Sequence, residues 1–146
     1  MCCFIYYYSP SLPFLPSPSP SPSVPPTMQA VQGRIVGIQN MSVTLTFTIL
    51  NASPEVQTEN IKWTFRDLNG NGFNIPTNLL TTTFSNLMGV FSSDRLSLNL
   101  SNLTNDFEGT YTMTATNEAG SDSVTIKLVL EGQVHWQCKY FKTCIM

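Results

Sequence analysis

The chain has 146 residues, nine carboxylates against seven basic side chains, and a formal net charge of −2. Charged residues are only 11 % of it and form no runs, which excludes the electrostatic footprint that nucleic acid or an acidic lipid surface requires. That length suits one domain of roughly 100 residues with tails at its ends.

Residues 1–28 form a segment of their own, rich in Pro and Ser. Proline fixes φ and has no amide donor, so this stretch is predicted to be an extended or disordered N-terminal tail that packs on nothing. It reads poorly as a secretion signal, because no Lys or Arg precedes the apolar stretch and Pro10, Pro13 and Pro16 interrupt it. No run in the chain approaches the roughly 18 apolar residues of a membrane span.

From residue 29 to residue 131 short alternating runs replace this pattern, broken by turn residues at regular spacing, while helical periodicity is missing. Ile35, Val36 and Ile38 suggest a first strand. Val43, Leu45, Phe47 and Ile49 then share one face of a second, with Thr44, Thr46 and Thr48 on the other. A polar loop over residues 51–60 leads to Ile61, Trp63 and Phe65 on one face of a third. Residues 67–72, DLNGNG, match the opening of a calcium-binding EF-hand loop, but its twelfth position falls on Asn78 rather than a bidentate glutamate. Strands flank it, and Asn-Gly between alternating runs is a tight-turn signal, so a hairpin is predicted. Leu96, Leu98 and Leu100 alternate next, then Gly109, Tyr111, Met113 and Ala115, and finally Val124, Ile126, Leu128 and Leu130.

The stretch over residues 95–120, RLSLNLSNLTNDFEGTYTMTATNEAG, resembles the E strand, E–F corner and F strand of an immunoglobulin-like domain, whose family phrase runs L-x-L-x-x-L, D-x-G-x-Y-x-C, A-x-N-x-x-G. The resemblance implies an all-β, two-sheet antiparallel Greek-key sandwich of the I-set or V-set kind over residues 29–131, with Trp63 as the family's buried tryptophan. Met113 stands where the family puts its second core cysteine and Phe47 where it puts the first, so Phe47, Trp63, Leu98, Tyr111 and Met113 are the expected centre of the core. A Phe and a Met contribute about 1.5–3 kcal/mol each on burial, against roughly 2–4 kcal/mol for a disulfide, so the exchange is near balance. Tyr111 resembles the tyrosine corner, which locks the E–F turn. The family's aspartate two residues before the glycine is Phe107 here, with Asp106 and Glu108 on either side of it as candidate partners for Arg95.

The four cysteines, Cys2, Cys3, Cys138 and Cys144, all lie outside the domain, and the lone His135 has no second imidazole, so neither a core disulfide nor a zinc site is expected. No nucleophile elbow, phosphate loop or metalloprotease motif occurs, and the expectation is a protein that is not an enzyme and needs no cofactor. N-glycosylation sequons fall at Asn40, Asn51, Asn99 and Asn102, with Asn51 expected in a loop, Asn102 in a turn and Asn99 in a strand. Residues 132–146 break the alternation and are expected to be either a non-native tail read past an exon end or a short exposed tail with two thiols.

The resemblance implies a protein–protein recognition module, most often in cell adhesion or a receptor ectodomain at the cell surface, with a structural module of a cytoplasmic filament or scaffold as the alternative. The chain is expected to be a piece of a longer protein. Its partner would be a protein, a second copy of itself included, met through Lys62, Thr64 and Arg66, through Asn69 and Asn71 of the hairpin, or through Asn117 and Glu118 of the F–G turn.

Overall fold

A computed structural model describes residues 21–132. It holds ten strands: β1 (Val24–Ala30), β2 (Arg34–Ile38), β3 (Val43–Ser53), β4 (Ile61–Asp67), β5 (Gly72–Ile75), β6 (Thr81–Phe84), β7 (Leu87–Phe91), β8 (Ser97–Leu100), β9 (Gly109–Asn117) and β10 (Gly120–Glu131). Two single 3₁₀ turns, at Thr58–Asn60 and Asn105–Phe107, complete the regular structure, and there is no α-helix among the described residues. The strands form two five-stranded sheets in the orders β1-β3-β8-β7-β6 and β2-β10-β9-β4-β5. Chain neighbours β3 and β4 lie in opposite sheets, as do β8 and β9, which gives the crossing connections of an immunoglobulin-like Greek key.

Alternation explains why these segments fold this way. In β4 and β8, and in the middle of β3 and β9, every second side chain is apolar and buried, so each strand offers one dry face and closes it against the opposite sheet. Leu45, Phe47, Trp63, Phe65, Leu98, Leu100, Leu103, Tyr111, Met113, Ile126 and Leu128 are fully buried between the sheets. Each contributes about 1.5–3 kcal/mol of burial. Phe47 and Phe91 meet the Trp63 ring edge-on, with centroids 5.0 and 5.5 Å away. The indole N–H donates to the Arg95 carbonyl at 2.9 Å, so the one polar atom of that side chain is satisfied.

Arg95 itself meets no carboxylate. Its Nε donates to the Thr77 carbonyl at 2.8 Å, an outer nitrogen donates to the Ser92 carbonyl at 3.2 Å, and its guanidinium lies 5.9 Å from the Phe91 ring centre. Glu108, one of its expected partners, instead accepts the Leu130 amide at 2.6 Å. The corner has lost the family's aspartate, and backbone carbonyls serve the arginine.

Three further departures from the sequence reading have physical causes. The first strand begins at Val24, inside the Pro/Ser-rich segment, and Pro26 and Met28 are buried. Pro25 and Pro26 fall where the β1–β3 register breaks between Val24 and Thr27, and β1 is an edge strand, so their missing amides cost no ladder bond. The rest of that segment, residues 1–20, and the tail over residues 133–146 lie outside the described residues. One strand pair is parallel: β2 runs alongside β10, because the chain leaves the first sheet at Val31, whose amide donates to the Thr46 carbonyl, and enters the second by Gly33, whose carbonyl accepts the Lys127 amide. Finally, the hairpin β6–β7 was not expected. Its two-residue turn, Ser85 and Asn86 at φ 45° and 65°, has the left-handed backbone that matches the twist of the strands it joins.

Candidate recognition surface

Side chains that β4 and β9 turn away from the core cover the outer face of the second sheet. On β4 these are Lys62, Thr64 and Arg66, all exposed; on β9 they are Thr110, Thr112 and Thr114. Strand register assembles them into rows. Arg34 of β2 lies opposite Lys127 of β10, Lys127 opposite Thr110 of β9, Thr110 opposite Arg66 of β4, and Arg66 opposite Gly72 of β5. One line across all five strands thus carries three cationic side chains. Lys62 lies opposite Thr114, whose hydroxyl lies 2.7 Å from that of Ser123. A shallow depression lies between these rows, lined by Thr64, Arg66, Gly72, Asn74, Thr110 and Thr112.

Three carboxylates are held by backbone amides. Asp122 accepts from Met28 at 2.8 Å, Glu108 from Leu130, and Asp94 from Leu96 at 3.0 Å. A hydroxyl bond from Ser92 is the main reason that the Asp94 carboxyl titrates below its ordinary value. The row itself holds no carboxylate, so a chain of net charge −2 still aligns three cations on one sheet face.

The hairpin residues divide. Asn69 is exposed, whereas Asn71 is committed: its side chain donates to one carboxylate oxygen of Asp67 and its backbone amide to the other, both at 2.8 Å. The Asn71 side-chain bond is the first cause that holds Asp67 below the usual carboxylate value. This geometry closes a tight turn on residues that open like a calcium loop. No group of three or more metal-ligating side chains occurs among the described residues.

Glu118 is exposed, but Asn117 beside it is not an adaptable surface residue. Its amide nitrogen donates to the Val24 carbonyl at 2.8 Å and to the Pro54 carbonyl at 2.9 Å, while its oxygen accepts from Ala119 and Gly120 at 3.0 and 3.1 Å. One side chain ties the start of β1, the end of β3 and the β9–β10 turn together.

The sequon asparagines also differ. Asn40 and Asn102 occupy left-handed turns at φ 63° and 54°, both are exposed, and the two turns are joined by the Asn40 amide on the Leu103 carbonyl at 2.9 Å. Asn51 is exposed within β3, opposite Thr27, rather than in a loop as expected, because β3 runs on to Ser53. Asn99 is half-buried, its amide nitrogen donating to the Thr44 hydroxyl at 3.0 Å and its oxygen accepting from Ser101 at 3.1 Å.

At the corner before β9 the Tyr111 hydroxyl, fully buried, donates to the Phe107 carbonyl at 2.9 Å. Two facing sheets with crossing connections, a buried indole and this corner define an immunoglobulin-like domain, here without a core disulfide. No family model matches the chain, and no curated protein does. Among solved structures it is similar to titin M4 at 18 % identity, with a TM-score of 0.53 over 76 % of this chain and 100 % of that one. It is similar also to extracellular domains 3–5 of Drosophila OTK, at 22 % identity and TM-score 0.55, over 75 % of this chain and 32 % of that one. The N-terminal four Ig domains of Dscam1 isoform 4.44 give 16 % identity and TM-score 0.55, over 77 % of this chain and 27 % of that one. At these identities the likeness is one of fold.

Proposed function

We propose that the chain is a protein-recognition module, part of a cell-adhesion or receptor ectodomain, that presents the outer face of its second sheet to a protein with an acidic surface. The observation that carries this is the row Arg34, Lys127, Thr110, Arg66, in which three cations are aligned by register with no carboxylate among them. Complementary charge across such a face steers encounter and fixes orientation more than it adds affinity. Similarity to extracellular domains of OTK supports the cell-surface setting. There Asn40, Asn51 and Asn102 would carry glycan, whereas Asn99, engaged with Thr44 and Ser101, would not.

Two observations favour a second reading, a structural module of a cytoplasmic filament or scaffold. The bridge positions are filled by Phe47 and Met113, and the whole of the titin M4 chain aligns with this one. Protein isolated from the cells that make it naturally separates the two: glycosidase-sensitive mass at the three open sequons is expected on the first reading and none on the second. Recognition is tested by immobilising the chain and measuring retention of cell-surface proteins. Arg34→Glu/Arg66→Glu/Lys127→Glu and raised ionic strength should each cut retention by about tenfold. Retention indifferent to both would remove the basic face as the site.

A further inference from the structure

We propose that the free edge of β6 pairs with the β6 of a second copy of this chain, joining the two first sheets into one antiparallel sheet about a twofold axis. This rests on the reading of the chain as a recognition module and names one partner for it, on a surface apart from the basic face.

β6 is the outermost strand of β1-β3-β8-β7-β6. Its pairs with β7 are Phe84 with Leu87, Thr83 with Met88, Thr82 with Gly89 and Thr81 with Val90. Residues flanking a two-residue turn form a hydrogen-bonded pair, and such pairs alternate along an antiparallel ladder. Phe84 and Thr82 therefore bond to β7, in step with the Phe91 amide on the Leu80 carbonyl at 2.7 Å. Thr81 and Thr83 turn their N–H and C=O groups to the open side, and both residues are exposed.

Three observations select a second copy as the occupant. Residues 68–93 contain no charged side chain, so a twofold contact here opposes no like charges, whereas the cationic face would repel its own image. Edge strands that resist association carry charge or proline. Of the four edge strands β1 has Pro25 and Pro26 and β2 has Arg34, β5 has neither but is followed at once by Pro76, and β6 has neither within it or beside it. Second, β6 is self-complementary. An axis through Thr82 sets Thr81 opposite the copy's Thr83 and the reverse, so that each outward residue exchanges both backbone bonds. Third, that axis sets Thr82 opposite its own mate. Its buried Oγ1 is the one buried side-chain polar atom among the described residues that lacks a hydrogen-bond partner, and cross-strand threonines exchange hydroxyl bonds. Exposed Leu79, Leu80, Met88 and Val90 flank the edge and would lose water on pairing.

The test is sedimentation velocity of the full chain over a concentration series, with reductant present so that the four cysteines form no cross-links. A monomer–dimer equilibrium with nothing larger is expected. Thr83→Pro deletes an amide that points away from β7, and Thr81→Lys/Thr83→Lys opposes ammonium groups across the axis; each should weaken dimerisation by about tenfold or more. The circular dichroism spectrum and melting of the dilute protein should not change in the lysine variant, which decides the matter if the proline variant fails to fold. A chain monomeric throughout, a dimer indifferent to the lysine pair, or an assembly larger than two would overturn the proposal. A monomer that still retains cell-surface proteins through its basic face would leave the recognition reading standing, and loss of that retention would remove it separately.

Discussion

Single side chains close this fold where a cystine would otherwise hold it. Tyr111 is fully buried, and its hydroxyl is the donor for the Phe107 carbonyl four residues back. Tyr111→Phe strands that carbonyl in an apolar place and is expected to cost about 1–2 kcal/mol, measured as a lower urea midpoint at unchanged slope. The same burial pushes the phenol well above its ordinary value of 10.0. The fold holds the neutral form, so the contribution is complete below pH 10.0 and fades above it, where the unfolded chain releases a proton that the folded chain keeps. The native protein should thus lose stability on the alkaline side more steeply than Tyr111→Phe, and equal slopes would show that the phenol is not isolated from solvent. Asn117 has a comparable role. Its place in an A-x-N phrase was legible, but its partners, the carbonyls of Val24 and Pro54, belong to distant segments that no local pattern connects to it.

At the scale of elements, the strands most legible in the sequence were those that bury one face, with β2 read as well from Ile35, Val36 and Ile38. β3, β4, β8, β9 and β10 alternate because antiparallel strands at a sandwich interface must. β1 was hidden by its prolines, which an edge position tolerates. β6 and β7 were hidden because their contrast is inverted in part: Thr82 points inward, while Met88 and Val90 point to water. Lys62 and Arg66 could be placed on one face by alternation, but Arg34 and Lys127 join their row only through pairings set by the tertiary fold. Where β9 opens, its backbone passes so close to β4 that only glycine fits. Gly109 has φ +156°, and a Cβ there would overlap the Arg66 carbonyl oxygen and lie 2.7 Å from the Phe65 ring. Gly109→Ala is expected to destabilise by about 3 kcal/mol or more, visible as a large fall in melting temperature. A change below about 1 kcal/mol would mean that the β4–β9 contact is looser than described.

Across the whole molecule, the described sheets are clasped without a core disulfide, by an apolar centre with a few hydrogen bonds such as that of the Trp63 indole on the Arg95 carbonyl. All four cysteines lie at positions 2, 3, 138 and 144, and the positions of the family's bridge hold Phe47 and Met113, both buried in the cluster around Trp63. Stability carried by apolar area does not depend on redox state, so the domain's unfolding midpoint should be the same with and without reductant. Removing a native disulfide from a small domain costs about 2–5 kcal/mol, and the corresponding cost here should appear on truncating the ring that replaces it. Phe47→Ala deletes the edge-on contact with Trp63 and opens a cavity between the sheets, with an expected loss of about 3–5 kcal/mol, a large part of the 5–15 kcal/mol net stability of an ordinary domain. The two measurements belong together. Denaturant unfolding of native protein and Phe47→Ala, each in oxidising and reducing buffer, should separate the curves by variant and superpose them by buffer. A midpoint that falls in reductant would transfer the clasp from the aromatic centre to cysteines outside the strands.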